Sequence, residues 1–151
     1  MSISNRSLAT LLIAQVLILL GLLNQTNPKT FDIDPDIFAP EVTARFTGTV
    51  HRVVDGDSLY IKGVEPQIRL WGVDAPEVGE AGDNAARSHL TELTYLKSVT
   101  CDQVDTDRYG RIVARCYTDA QIKVNRALIE SGVASEFTRY SGGYYARTKA
   151  Q

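Results

Sequence analysis

Two short stretches concentrate the residues able to do chemistry. The first runs Asp55-Gly56-Asp57-Ser58, then Arg69, then Asp74-Ala75-Pro76-Glu77; the second is Asp107-Arg108-Tyr109-Gly110-Arg111. Folded against one another, these segments bring carboxylates and two arginines together. Clustered carboxylates hold a hard divalent cation through oxygen. Two guanidinium forks match a phosphate better than any other side chain. Cation, phosphate clamp and a spare carboxylate are the parts with which water attacks a phosphodiester. Asp55-Gly56-Asp57 alone would be an ordinary solvated turn. Asp74 and Glu77 in register, and the second stretch downstream, argue for a site.

The elements that must position these residues follow from patterning. A strand over 46–54 is rich in Val and Thr and alternates in part. The Asp55-Gly56-Asp57 turn leads to a short strand over 58–61 and a turn at Lys62-Gly63. A strand over 67–73 points Ile68, Leu70 and Val73 inward and Arg69 to the other face. Asp83 or Asn84 caps a predicted helix over 85–97, with Ala86, Leu90, Leu93 and Leu96 or Lys97 at helical spacing. Strands over 99–104 and 112–118 flank the loop 105–110. A second helix runs from Gln121 or Val124 to Ser131, with Gly132 just past its end. Periodicity alone establishes an α+β domain.

The two stretches, in their order and spacing, resemble the staphylococcal nuclease (thermonuclease) family. Its first signature stands here as Asp55-Gly56-Asp57-Ser58, Arg69 and Val73-Asp74-Ala75-Pro76-Glu77, its second as Asp107 to Arg111. A weaker match is Val124-Asn125-Arg126-Ala127-Leu128-Ile129 followed by Gly132-Val133-Ala134. The resemblance covers roughly residues 47–145. It implies a five-stranded OB-type β-barrel with two to three helices, preceded here by an N-terminal hydrophobic helix.

It also implies roles. Asp57 and Asp74 would bind Ca²⁺ with the carbonyl of Ala75 as a further oxygen ligand, and Asp55 would stand behind them. Glu77 would orient or deprotonate the attacking water. Arg69 and Arg111 would grip the phosphate. Arg108 and Tyr109 would line the nucleotide pocket, and Tyr140 would stack on a base; the second aromatic expected nearby aligns with Thr138. The activity implied is Ca²⁺-dependent hydrolysis of DNA or RNA, breaking the 5′ P–O bond and leaving 3′-phosphates. Two other readings are a non-catalytic OB-fold module that binds nucleic acid or protein, and an accessory envelope protein with a nuclease-like domain. Degenerate members of the superfamily lose the equivalents of Arg69, Glu77 or Arg111, and this chain keeps all three.

Charge is distributed unevenly. The net charge is -2, unusual for a nucleic-acid binder. From Arg45 onward, however, 14 Lys+Arg balance 14 Asp+Glu, and the deficit comes from Asp32, Asp34, Asp36 and Glu41 upstream. A neutral domain binds phosphate locally and lacks the long-range steering of a basic one.

Residues 8–23 form an apolar run after Arg6, with no acid before Asp32. The run reads as a signal peptide or a short membrane anchor, leaning to an uncleaved anchor with its cationic end inside. Residues 24–44 read as an acidic Pro/Asn/Asp linker and 45–151 as the nuclease-like domain. Cys101 and Cys116 flank the loop 105–110 on adjacent predicted strands, so a disulfide is expected there, two buried thiols being the alternative. A disulfide and the apolar leader together fit export to an oxidising compartment. His51 and His89 show no zinc-ligand spacing with either cysteine. No protein partner is expected. Two departures from the family pattern stand out: a short acidic segment after Glu77, bearing Glu80 and Asp83, and a last helix that is short, leaving the barrel less covered.

Overall fold

The computed structural model describes residues 35–148; the apolar run 8–23, the linker as far as residue 34 and residues 149–151 lie outside the described residues. The described residues form seven strands: β1 (Ala44–Val53), β2 (Ser58–Ile61), β3 (Ile68–Leu70), β4 (Val73–Asp74), β5 (Ser98–Thr106), β6 (Ile112–Thr118) and β7 (Ser135–Glu136). Four helices accompany them: α1 (Asp83–Thr94), α2 (Val124–Glu130) and the single turns α3 (Thr138–Ser141) and α4 (Tyr144–Arg147). A 3-10 turn, Pro35–Phe38, precedes β1.

Five strands close a barrel in the order β1-β2-β3-β6-β5, while β4 and β7 form a separate two-stranded ribbon. This is the OB-type α+β barrel the family resemblance implies, with two of its four helices only one turn long. Closure depends on β1. Its first half pairs antiparallel with β5, from Ala44↔Gln103 to Thr49↔Ser98, and its second half with β2, through Arg52↔Tyr60 and Val53↔Leu59. A register irregularity between Val50 and Arg52 bends the strand between its two partners. β3 closes the far side by pairing in parallel with β6, Arg69 opposite Val113.

The inward residues fill the barrel. Val50, Leu59, Ile61, Ile68, Val99, Cys101 and Ala114 are fully buried, and Leu90 of α1 with Val124 and Leu128 of α2 cap the core. Cys101 and Cys116 are direct cross-strand partners on β5 and β6, joined by a disulfide with Cα atoms 4.1 Å apart. A second cluster sits outside the barrel, where Trp71 packs on Tyr144 and Tyr145. Ala39 packs against this cluster, so the residues just ahead of β1 belong to the folded unit.

The structure departs from the sequence expectations in three places. The expected strand 67–73 is split into β3 and β4 by Gly72, whose φ of 66° turns the chain. A Cβ there would also lie 2.9 Å from the Ser141 Cβ, so glycine lets α3 pack against the corner. The expected helix 85–97 runs from Asp83 to Thr94, with Gly82 at the N-cap and no side-chain cap. It stops early because the next residues pair with β1: Leu96 donates to the Val50 carbonyl at 2.9 Å and Val50 donates to the Lys97 carbonyl at 3.0 Å. Finally, β5 continues to Thr106, so the expected loop 105–110 is a tighter turn.

Candidate active site

The turn between β1 and β2 is not a free loop. The Asp57 N–H donates to Asp55 Oδ1 at 3.1 Å, a local bond that shapes the turn. A Cβ on Gly56 would lie 2.5 Å from the Ala86 Cβ and 2.6 Å from the Ala75 Cβ. Only glycine lets the turn slip between α1 and the segment after β4. Asp57 is thereby buried. Its Oδ2 forms an ion pair with Arg69 at 2.6 Å and accepts from the Ala75 N–H at 3.2 Å, and its Oδ1 accepts from the Ser58 hydroxyl at 3.1 Å. Burial pushes the Asp57 carboxyl up to about 7 despite the Arg69 charge, with the neighbouring Asp55 adding to the rise.

Arg69 leaves the core side of β3 because Ile68 and Leu70 take it. Across the barrel seam, Arg111 immediately precedes β6. Its Nε donates to Asp107 Oδ2 at 2.7 Å and its N–H to Asp107 Oδ1 at 3.0 Å. The Tyr109 N–H donates to the same Oδ1 at 2.9 Å. Burial alone would raise the Asp107 carboxyl. The hydrogen bonds from Arg111 and Tyr109, with the Arg111 charge, outweigh it and hold the group below the usual carboxylate range. Asp107 is thus the residue that shapes the turn and aims Arg111. The exposed ring of Tyr109 lies beneath two guanidinium groups, Arg108 at 4.8 Å and Arg111 at 5.6 Å from its centroid.

Arg69 and the residues Asp107, Arg108, Tyr109 and Arg111 share an open cleft of ≈ 750 Å³, which Asp57 does not line. Arg69, Arg108, Tyr109 and Arg111 line one side, and Arg139 and Tyr140 of α3 line it too. The volume is in the range of small-molecule and cofactor sites. Pro40, next to Ala39 on the aromatic cluster, completes the wall.

The carboxylates stand at the edge. Asp74 is exposed on β4 and pairs in register with Ser135. Glu77 is exposed in the loop after β4; its N–H donates to Glu80 Oε2 at 2.9 Å, and its carboxylate has no partner among the described residues. Neither Asp74 nor Glu77 lines the cleft. The Ala75 N–H bond to Asp57 ties the segment after β4 to the turn after β1, so Asp57, Asp74 and Ala75 are neighbours.

A hard cation fits this donor chemistry. Among the described residues no three His, Cys, Asp or Glu side chains form a metal cluster, so a cation at Asp57 and Asp74 would need carbonyl and water oxygens to complete its shell. The raised Asp57 carboxyl marks a buried anion that a cation would stabilise. Arg69 pairs with Asp57 Oδ2, so a cation bound there would compete with the guanidinium for that oxygen.

The family described as staphylococcal nuclease homologue matches residues 67–150, more than half of the chain. This chain belongs to that family. It is 31% identical over 107 residues to a micrococcal nuclease of Shigella flexneri, covering 64% of this chain and 62% of that protein. It is 31% identical over 104 residues to an uncharacterized endonuclease of Escherichia coli, covering 68% of each. It is 33% identical over 105 residues to the succinoglycan biosynthesis protein ExoI of Rhizobium meliloti, covering 62% of this chain and 54% of that protein. The chain thus spans about three fifths of the length of the first of these relatives.

Several residues that build the site carry no warning in the sequence reading. Asn125 is buried beneath it: its amide donates to the Trp71 carbonyl at 3.0 Å and the Ala114 carbonyl at 3.1 Å, and its Oδ1 accepts the Cys116 N–H at 2.9 Å. An amide on the apolar stripe of Val124 and Leu128 was the available signal. Glu136 accepts from the Ser141 hydroxyl and from the N–H groups of Tyr145 and Ala146, both at 2.9 Å, which fixes α3 and α4. Thr138, where a second aromatic was expected, opens α3, and Phe137 beside it supplies a ring 4.9 Å from that of Tyr140.

Proposed function

We propose that the protein is a Ca²⁺-dependent nuclease that hydrolyses phosphodiester bonds of DNA, RNA or both. The observation carrying this reading is the placement of Arg69 and Arg111 on one cleft, with Asp57 ion-paired to Arg69 at 2.6 Å. In this reading Arg69 and Arg111 bind the non-bridging oxygens of one diester and stabilise charge that builds on them as water attacks. Glu77, whose carboxylate has no partner among the described residues, orients that water or takes its proton. The bond to the 5′-oxygen breaks, giving a 3′-phosphate and a 5′-hydroxyl, as the family resemblance implies. Arg108 and Tyr109 line the nucleotide side and Tyr140 offers a ring for a base. A bound Ca²⁺ would supply Lewis-acid stabilisation of the phosphoryl oxygens, held by Asp57, Asp74 and the Ala75 carbonyl.

The disulfide inside the barrel and the apolar run at 8–23 support an exported protein, held at the membrane by that run or secreted. A second reading, an accessory protein of envelope polysaccharide synthesis, draws on the ExoI relative. Incubating the purified protein with labelled single-stranded DNA and RNA, in Ca²⁺ and in chelator, separates the two. The nuclease reading predicts cleavage in Ca²⁺, products ending in 3′-phosphate, and none in chelator. Intact substrate in Ca²⁺ would favour the accessory reading.

A further inference from the structure

The cleft carries more positive charge than one phosphate uses. Arg69 is matched by Asp57 at 2.6 Å and Arg111 by Asp107 at 2.7 Å, and Arg108 leans over Tyr109. Arg139 lines the same cleft, is exposed, and has no carboxylate, ring or hydrogen-bond partner among the described residues. It rises from α3, whereas the other three come from β3 and the β5–β6 turn.

The backbone that presents Arg139 is fixed. Phe137 donates to the Gly72 carbonyl at 2.9 Å, and the N–H groups of Tyr140 and Ser141 return to the Phe137 carbonyl, both at 3.0 Å. The Ser141 hydroxyl bonds Glu136, and the Phe137 and Tyr140 rings meet edge to face. The preorganised fork therefore loses little backbone freedom on binding. Arg139 also sits beside the exposed Tyr140, as Arg108 sits beside the exposed Tyr109. An arginine and a tyrosine adjacent in sequence line the cleft at two places, which suits a strand that alternates phosphate and base.

We propose that Arg139 is a substrate-binding residue that takes a second phosphate of the same strand, adjacent to the scissile diester. The site would then select oligonucleotides with at least two phosphates over a lone diester. This rests on the nuclease reading above. No bond is made or broken at Arg139, so its effect belongs in KM.

Steady-state cleavage in Ca²⁺ of the dinucleotide TpT, with one phosphate, and of pTpT and TpTp, with two, tests it. Wild type is expected to favour at least one two-phosphate substrate through KM. Arg139→Ala is expected to lose about ten- to hundredfold in kcat/KM on that substrate, mostly in KM, and less than about twofold on TpT. Its unfolding midpoint should equal that of wild type, and Arg139→Lys should recover part of the loss. On longer single strands the slope of log KM against log salt should fall by about one. Equal loss on TpT and the favoured two-phosphate substrate, or no loss on any, overturns the assignment of Arg139 while wild-type cleavage keeps the nuclease reading. Wild type inert on all three and on longer strands removes the nuclease reading and this inference with it.

Discussion

Arg69 and Asp57 form an ion pair at 2.6 Å, so the guanidinium read as a phosphate clamp and the carboxylate read as a cation ligand neutralise one another. Binding of a cation at Asp57 would therefore free Arg69 to turn to substrate. It also links metal, proton and fold at one oxygen. An unperturbed aspartate titrates near ~3.9, and in the folded protein burial lifts Asp57 to about 7. Between those values the folded state binds the proton more tightly. Protonated Asp57 therefore contributes stability that is complete below ~4 and lost as pH rises through about 7.

A calcium ligand must be ionised, so Ca²⁺ competes with that proton. The increase in thermal midpoint on adding millimolar Ca²⁺ should be small at pH 5.5 and larger at pH 7.5, with apparent affinity changing up to about tenfold per pH unit below 7. Asp57→Asn should abolish the dependence. Equal midpoint shifts at both pH values would contradict the link between cation and Asp57.

Asn125 binds three buried backbone groups from two parts of the chain: the Trp71 carbonyl at the corner after β3, and the Ala114 carbonyl and Cys116 N–H of β6. Asn125→Ala orphans the Cys116 N–H, whereas the Trp71 carbonyl keeps the Tyr145 hydroxyl at 2.9 Å and the Ala114 carbonyl keeps the Trp71 N–H at 2.8 Å. One unsatisfied buried donor should cost about 1–3 kcal/mol, a sizeable part of the stability of a small domain. Chemical denaturation measures it, and a loss under ~1 kcal/mol would mean that water or a shift of α2 satisfies this N–H.

The Cys101–Cys116 bond closes a loop with a sequence separation of 15 between direct cross-strand partners. Reduction should lower stability by about 3 kcal/mol through the larger conformational freedom of the open unfolded chain. Denaturation curves with and without reductant report it directly; superimposable curves, with both thiols shown to be free by alkylation, would contradict it.

The strands β2 and β6 match their sequence-based expectation end for end, because alternation of apolar residues is a local signal. The barrel was legible through the two signatures, whose order only makes sense if β3 and the β5–β6 turn meet. What the sequence hides is set by distant contacts. Leu96 has the spacing of a helical residue and is pulled out of the helix by a pairing with Val50. Gly72 sits inside an apparent strand and turns the chain, because α3, some seventy residues on, packs against it. Arg139 is one arginine among many by composition; only the closure of α3 over the cleft gives it a place in the site. Phe137 likewise supplies a ring near Tyr140 that register matching had sought at Thr138.

The central claim is that Arg69, Glu77 and Arg111 act on one phosphate as a unit. Glu77 makes the most direct test, since its carboxylate has no partner among the described residues and its removal should leave the fold intact. Single-turnover cleavage of labelled single-stranded DNA in Ca²⁺ is the measurement, on wild type, Glu77→Gln and Arg111→Ala with matched unfolding midpoints. Each substitution should slow the chemical step by on the order of 10²- to 10³-fold, and the double variant should lose far less than the product of the two, as expected of groups that act together. Folded Glu77→Gln or Arg111→Ala protein cleaving at the wild-type rate would contradict the account.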